Sequence, residues 1–226
     1  MTPHSTYNLP CSGATTTDIL EPQRLSNGLT RPAQIDAVTA DTQLVTLTIG
    51  GNDLGLIGTM IARSCGPAVA PYSAAAEAIC PAVVGASTAP GPADFDALEQ
   101  KITDVVRAVQ NRAPGAEILL VEYLPAVDPQ ATTCASLPLS PDDARTTRRT
   151  YDGLVTATRA AALATGTTSV GHPEADQHKT CSAAPWINGF ENPLTTGNIT
   201  SIASSYHPNL EGMTATADHL AQTLDT

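Results

Sequence analysis

Three short segments carry residues whose types and spacing could do chemistry. Gly50-Gly51-Asn52-Asp53 holds an amide side chain behind two glycines, which let a backbone turn sharply and approach a ligand closely. An amide placed there could donate to a developing oxyanion. The same four residues also suit a plain turn in which Asn52 and Asp53 cap the next helix. Tyr206-His207-Pro208-Asn209, with Gly212 shortly after, offers an imidazole that can serve as general base. A lone histidine at such a junction is also a common capping or surface residue. Cys11-Ser12-Gly13-Ala14-Thr15 is a small-residue turn that can present backbone N–H donors, or simply a turn beside a cysteine.

The elements around these segments have an alternating pattern. Leu44–Ile49 is β-rich and ends in the two glycines, so it reads as a buried strand followed by a tight turn. The stretch from about 17 to 40 reads as two short helical turns with a break near Ser26-Asn27-Gly28. Residues 64–93, with Gly66, Pro67, Pro71, Pro81, Gly85, Pro90 and Gly91, read as an irregular excursion around an Ala-rich helical piece near 73–79. Asp94 opens an amphipathic helix carrying Phe95, Leu98, Ile102, Val105, Val106 and Val109 at helical spacing, and Pro114-Gly115 ends it. A second buried strand covers 117–123. Ser140-Pro141-Asp142-Asp143 starts a helix that reaches Ala164 and stops at Gly166. Residues 167–170 make a third short strand, 171–205 a loop, and 208–224 a last helix. Strands alternating with helices predict an α/β domain with a parallel sheet, its chemistry gathered at the carboxyl ends of the strands. Those ends are 50–53, 123–128 and the loop before His207.

Composition narrows the function classes. The chain has 226 residues, 42% hydrophobic, enough for the core of one domain over 1–226. Eleven basic against 22 acidic residues give a net charge of −11, which opposes binding to phosphate backbones, so no nucleic-acid partner is expected. Glu77, Pro81 and Pro90 break the most apolar region, so no spanning helix is predicted. Of the five cysteines, Cys11, Cys65, Cys80, Cys134 and Cys181, none forms a C-x-x-C pair, and they sit in turn-rich sequence typical of exported disulfide proteins. An odd number points to a partner missing from the count. The first residues carry no signal peptide, so the expectation is a chain that begins partway into a longer, secreted one.

Taken together and in this order, Thr48-Ile49-Gly50-Gly51-Asn52-Asp53, Tyr206-His207-Pro208-Asn209 and Cys11-Ser12-Gly13-Ala14-Thr15 resemble the SGNH (GDSL) hydrolases, specifically their secreted actinobacterial lipase and esterase branch. The paired loop cysteines and Pro185-Trp186-Ile187-Asn188-Gly189 after Cys181 agree. The resemblance implies a three-layer α/β/α sandwich and a monomeric carboxylic ester hydrolase acting on a lipid or small-molecule ester without a cofactor. By that resemblance His207 is the catalytic base, and Gly13 and Asn52 form the oxyanion hole. The family often places an aspartate three residues before this histidine; here Ser204 stands there, and its backbone carbonyl is expected to orient the imidazole instead. The resemblance also implies disulfides Cys65–Cys80 and Cys134–Cys181, leaving Cys11 free. His172, Asp176, His178 and Cys181 could look like a metal site, but the disulfide removes one ligand, so no metal is expected.

One departure is large. The family's Gly-Asp-Ser block, which holds the nucleophile and the first, central strand, lies upstream of the Cys11 turn, and no Gly-Asp-Ser occurs in this chain. Ser12, with Pro10 and Ala14 where the G-x-S-x-G nucleophile elbow has its two glycines, does not match that elbow either. The expected consequences are strands with unpaired edges and weak activity of the chain as written. A second expectation from another class is therefore a non-catalytic remnant, or a small-molecule- or glycan-binding protein on the same fold.

Overall fold

The computed structural model describes residues 6–25, 27–69 and 88–225. Its main sheet is parallel and three-stranded, in the order β3-β4-β5, with β3 at Leu44–Leu47, β4 at Glu117–Val121 and β5 at Thr168–Val170. Register sets Val45 beside Ile118 and Leu120 beside Ser169. On β4, Ile118, Leu119, Leu120 and Val121 are all buried. Successive side chains of a strand face opposite sides, so consecutive burial means that both faces are covered. This is the α/β/α arrangement expected for the chain.

β3 departs from the expectation of a buried strand. Leu44 and Thr46 are exposed, and Val45 and Leu47 are only half-buried. The reason is its position: β3 is an edge strand, hydrogen-bonded to β4 alone among the described residues.

The helices follow their local signals with instructive exceptions. α3, Pro92–Arg112, begins at Gly91, whose N–H donates to the Asp94 carboxylate at 2.8 Å. It buries Leu98, Ile102, Val105, Val106 and Val109, the stripe foreseen by periodicity. α4, Pro141–Thr165, is capped by Ser140, whose hydroxyl accepts from the Asp143 N–H, and ends on Gly166 in the left-handed conformation at φ 67°. α3 packs along α4. The segment before β3 is not two helical turns with a simple break. Between α1, Thr16–Leu20, and a 3-10 turn at Gln34–Ala37, a small antiparallel hairpin pairs β1, Gln23–Arg24, with β2, Thr30–Arg31. Gly28 takes φ 83° in its turn.

Ser64-Cys65-Gly66-Pro67 is the second correction. Read as loop, it lies inside α2, Leu56–Val69. Ser64 and Cys65 are buried, as are Met60 and Ile61 one turn before, so packing of this face outweighs the local helix breakers. The helical piece expected near 73–79 lies outside the described residues. The loop 171–205 carries a 3-10 turn at Ala175–Gln177, the short α5, Pro193–Thr196, and a second 3-10 turn at Ile199–Ser204. The last helix, α6, spans Leu210–Leu224 and begins two residues later than predicted, because Asn209 rather than Pro208 sets its start: the Asn209 side chain accepts from Gly212 N–H at 2.9 Å.

Cys134 and Cys181 form a disulfide across 47 residues, and Cys11 is a free, half-buried thiol. Cys65 is disulfide-bonded; Cys80, its expected partner, lies outside the described residues.

Candidate active site

The turn after β3 shows why two glycines stand there. Gly50 adopts φ 104°, a left-handed conformation that side chains rarely tolerate. At Gly51 the Tyr123 ring lies so close that an added Cβ would come within 2.8 Å of it, and the Tyr123 hydroxyl accepts from Gly51 N–H at 3.1 Å. Burial raises the Tyr123 pKa, the Gly51 hydrogen bond opposes that rise, and the Asp53 charge adds to it. Tyr123 therefore stays neutral, its oxygen an acceptor in the turn.

Asn52 and Asp53 leave this turn toward the Cys11–Thr15 segment. Asn52 Nδ2 donates to the Ala14 carbonyl at 2.8 Å. Asp53 accepts from Thr16 N–H at 2.9 Å and from Thr16 Oγ1 at 2.6 Å. Gly13, at φ 74°, is exposed, and its own N–H has no partner among the described residues. Gln23 steadies the same turn from below, its Nε2 donating to the Ser12 carbonyl at 3.0 Å. One N–H of the exposed Asn52 amide is thus committed to the carbonyl of Ala14, the residue after Gly13, and the amide has a second N–H to offer.

His207 is positioned by a separate framework. Its backbone carbonyl accepts from Asn188 N–H at 2.9 Å, and Asn209 N–H donates to the Trp186 carbonyl at 2.9 Å. The Asn209 side chain also donates to the Pro185 carbonyl at 2.6 Å. Gly212 completes the clamp, because a Cβ there would come within 2.4 Å of the Trp186 oxygen. The ring itself is exposed, and its Nδ1 lies 3.0 Å from the Ser205 carbonyl oxygen. A carbonyl can only accept, so Nδ1 carries the proton and Nε2 is the free basic nitrogen.

That contact corrects the orienting group. It is the carbonyl of Ser205, not of Ser204, that meets the imidazole. The Ser204 carbonyl is occupied by His207's own N–H at 3.2 Å and by Asn188 Nδ2 at 3.2 Å. The shift by one residue comes from Tyr206, which takes the left-handed conformation at φ 60°. A bulky side chain in that region is uncommon and costs of order 1–3 kcal/mol, held only when surroundings demand it.

These features meet at the family level. The model of the GDSL-like lipase/acylhydrolase family matches residues 1–215. The chain belongs to that family. Among curated relatives it is similar to Lipase 1 of Streptomyces coelicolor, 29% identical over 213 residues, covering 89% of this chain and 63% of that protein. It is also similar to a lipase of Streptomyces rimosus, 30% identical over 209 residues with 89% and 63% coverage. The chain thus spans 63% of the length of these relatives. The fold is shared with the crystal structure of the extracellular lipase of Streptomyces rimosus, with TM-score 0.64, 24% identity, and coverage of 94% of this chain and 77% of that one. It is shared too with phospholipase A1 from Streptomyces albidoflavus, at TM-score 0.63, 23% identity and the same coverages, 94% and 77%.

For a GDSL-family chain, Gly13 and Asn52 come together through Ala14, while His207 bonds to neither of them. Sequence reasoning gave no role to Gln23, Thr16 or Ser64, nor to Tyr206 and Asn188 within the segments it singled out, all of which bond around these segments. Residue type does not mark such roles, because the partners lie elsewhere in the sequence. The histidine-rich loop is engaged otherwise: His178 stacks on Trp186 at 4.0 Å, His172 Nδ1 accepts from Glu174 N–H, and Cys181 is in its disulfide. Among the described residues no cluster of three acidic, histidine or cysteine side chains could hold a metal ion. No helix among them is long and apolar enough to cross a membrane.

Beyond the ends of β4 and β5 lies an open cavity of about 470 Å³, lined by Glu122, Tyr123, Tyr151, Arg159 and His172 among others. Arg159 grips the buried Glu122 carboxylate through two hydrogen bonds of 2.7 and 2.8 Å. Gly13, Asn52 and His207 do not line this cavity, whereas Tyr123, which packs on Gly51, does.

Proposed function

We propose that the protein hydrolyses carboxylic esters, of lipids or of small molecules, by a serine–histidine mechanism outside the cell and as a monomer. The observation that carries this is the exposed His207 ring, fixed at Nδ1 by the Ser205 carbonyl with Nε2 left basic. A serine supplied from outside these residues attacks the acyl carbon and gives its proton to His207 Nε2. The tetrahedral oxyanion is held by Gly13 N–H and the second N–H of Asn52. Collapse expels the alcohol, which takes the proton from His207, and leaves an acyl-serine. Water then attacks the acyl group, His207 accepts its proton, and the carboxylic acid departs as the serine is restored.

The test is turnover of a short-chain nitrophenyl ester. The 226 residues alone should show little or none, since Gly-Asp-Ser is not among them. A form extended by that block should be active, and His207→Ala should remove most of the rate. A second reading is a non-catalytic remnant or a small-molecule- or glycan-binding protein on the same fold. Failure of the folded, serine-bearing form to hydrolyse any ester would favour it. Activity of the 226 residues that disappears in Ser12→Ala would instead make Ser12 the nucleophile.

A further inference from the structure

Tyr206 is the residue before the proposed base, yet its side chain points away from any chemistry. It is 1% exposed, and its hydroxyl lies 2.5 Å from Ser64 Oγ, itself 0% exposed. Burial pushes the phenol pKa up, so the hydroxyl stays neutral, and the hydrogen bond to Ser64 opposes that rise. Ser64 stands on α2, the helix that follows the turn holding Asn52. The pair therefore joins the two halves of the site by a buried contact across 142 positions of sequence.

The backbone at Tyr206 gives the contact a purpose. Its φ of 60° turns the chain so that the carbonyl of the preceding residue, Ser205, faces the ring of the following one, His207. An extended or helical Tyr206 would send that carbonyl elsewhere. Such a conformation is unfavourable for an aromatic residue and persists only where surroundings impose it. Here the imposing contacts are Ser64 on the hydroxyl, Phe190 beside the ring at 6.4 Å between centroids, and the Ser205 hydroxyl, which accepts from Glu191 N–H at 2.9 Å.

We propose that Tyr206 is a positioning residue for His207: anchored by Ser64, it holds the left-handed turn that aims the Ser205 carbonyl at Nδ1. The proposal rests on His207 being the base of an ester hydrolase. Its action is on the imidazole's tautomer and direction, not on substrate.

Two readouts test it. In protein labelled with ¹⁵N-histidine, His207 should show the Nδ1–H tautomer. Tyr206→Phe and Ser64→Ala remove the same hydrogen bond from opposite ends, and each should shift His207 toward the Nε2–H tautomer. In the serine-bearing form each should lower kcat about ten- to a hundredfold, the scale of a small misplacement, with KM unchanged. The double variant should be no worse than either single one, because no buried hydroxyl is left without its partner. Should Tyr206→Phe fail to fold, Ser64→Ala carries the test. Loss of thermal stability in folded variants with the His207 tautomer and kcat unchanged would overturn the proposal and leave Tyr206 a core residue. If the tautomer shifts while no form hydrolyses esters, the positioning role stands and the esterase reading fails.

Discussion

Asp53 and Thr16 are joined twice, by the Thr16 N–H at 2.9 Å and the Thr16 hydroxyl at 2.6 Å to the two oxygens of one carboxylate. The Asp53 side chain is only 4% exposed, and Lys101 Nζ lies 3.4 Å from it. Together with the Asn52–Ala14 hydrogen bond, this carboxylate ties the turn after β3 to the start of α1. Charged hydrogen bonds of this kind are worth about 1.5–3 kcal/mol. Asp53→Ala should cost about that much in chemical denaturation, with Asp53→Asn costing less. An unchanged denaturation midpoint in Asp53→Ala would show that the two segments are held together elsewhere.

The glycine pair allows a sharper contrast. Gly51→Ala drives a methyl against Tyr123, whereas Gly115 has nothing within 4 Å and no positive φ. Overpacking of this kind costs about 1–3 kcal/mol. Gly51→Ala should lose stability by that amount, and Gly115→Ala should be neutral or slightly stabilising. Equal effects on thermal unfolding would contradict the packing described at Tyr123.

How far the sequence carries depends on the range of the interaction. α3 and α4 were legible because apolar spacing, caps and terminators all lie within the element, as with Ser140 and Gly166. The turn at 50–53 and the histidine at 207 stood out through residue type. The helix through Gly66-Pro67 was not legible, since what holds it is burial of Ser64 and Met60 against residues far along the chain. The exposure of β3 depends on which strands pair, and four residues of local sequence do not encode that. A main-chain oxygen has no letter in the sequence, so motif spacing points to the carbonyl of Ser204, and only the φ of Tyr206 turns that of Ser205 to the ring.

The disulfide Cys134–Cys181 closes a loop with a sequence separation of 47. On the chain-entropy account, a crosslink of that span stabilises by about 4 kcal/mol. Replacing both cysteines by alanine should lower stability by up to about that amount. Reductant acts on the Cys65 disulfide as well, so denaturation of the unmodified protein with reductant should lose at least as much stability as the double variant.

His172 supplies a pH dependence. Burial lowers its pKa below the ordinary 6.5, His219 and His178 add to the lowering, and Glu174 opposes it. Trp186 meets it edge-on at 4.5 Å and His219 at 4.9 Å. The unfolded chain therefore takes up a proton here before the folded one does. Stability contributed by the neutral ring is present above pH 6.5 and is lost as pH falls from there to the lowered value. One proton limits the slope to about 1.4 kcal/mol per pH unit. Denaturation midpoints measured across this window should fall with pH, and His172→Gln should flatten the fall. A variant that keeps the full slope would assign it to other groups.

Asn52 is where structure and proposed chemistry are most tightly bound. One amide N–H is spent on Ala14, so a substitution there removes the proposed oxyanion donor and also loosens the turn that carries the other proposed donor, Gly13. Loss of one donor costs about 100- to 1000-fold in kcat. In the serine-bearing protein Asn52→Ala should fall in that range with KM little changed, because the donor acts on charge that appears in the transition state. Asn52→Asp should fall further. It keeps the size of the side chain but removes both donors, sets a negative charge against the Ala14 carbonyl, and repels the developing oxyanion. If Asn52→Asp were the more active of the two, the side chain would be filling space beside Ala14 rather than stabilising an oxyanion, and the second donor would have to be sought outside this turn.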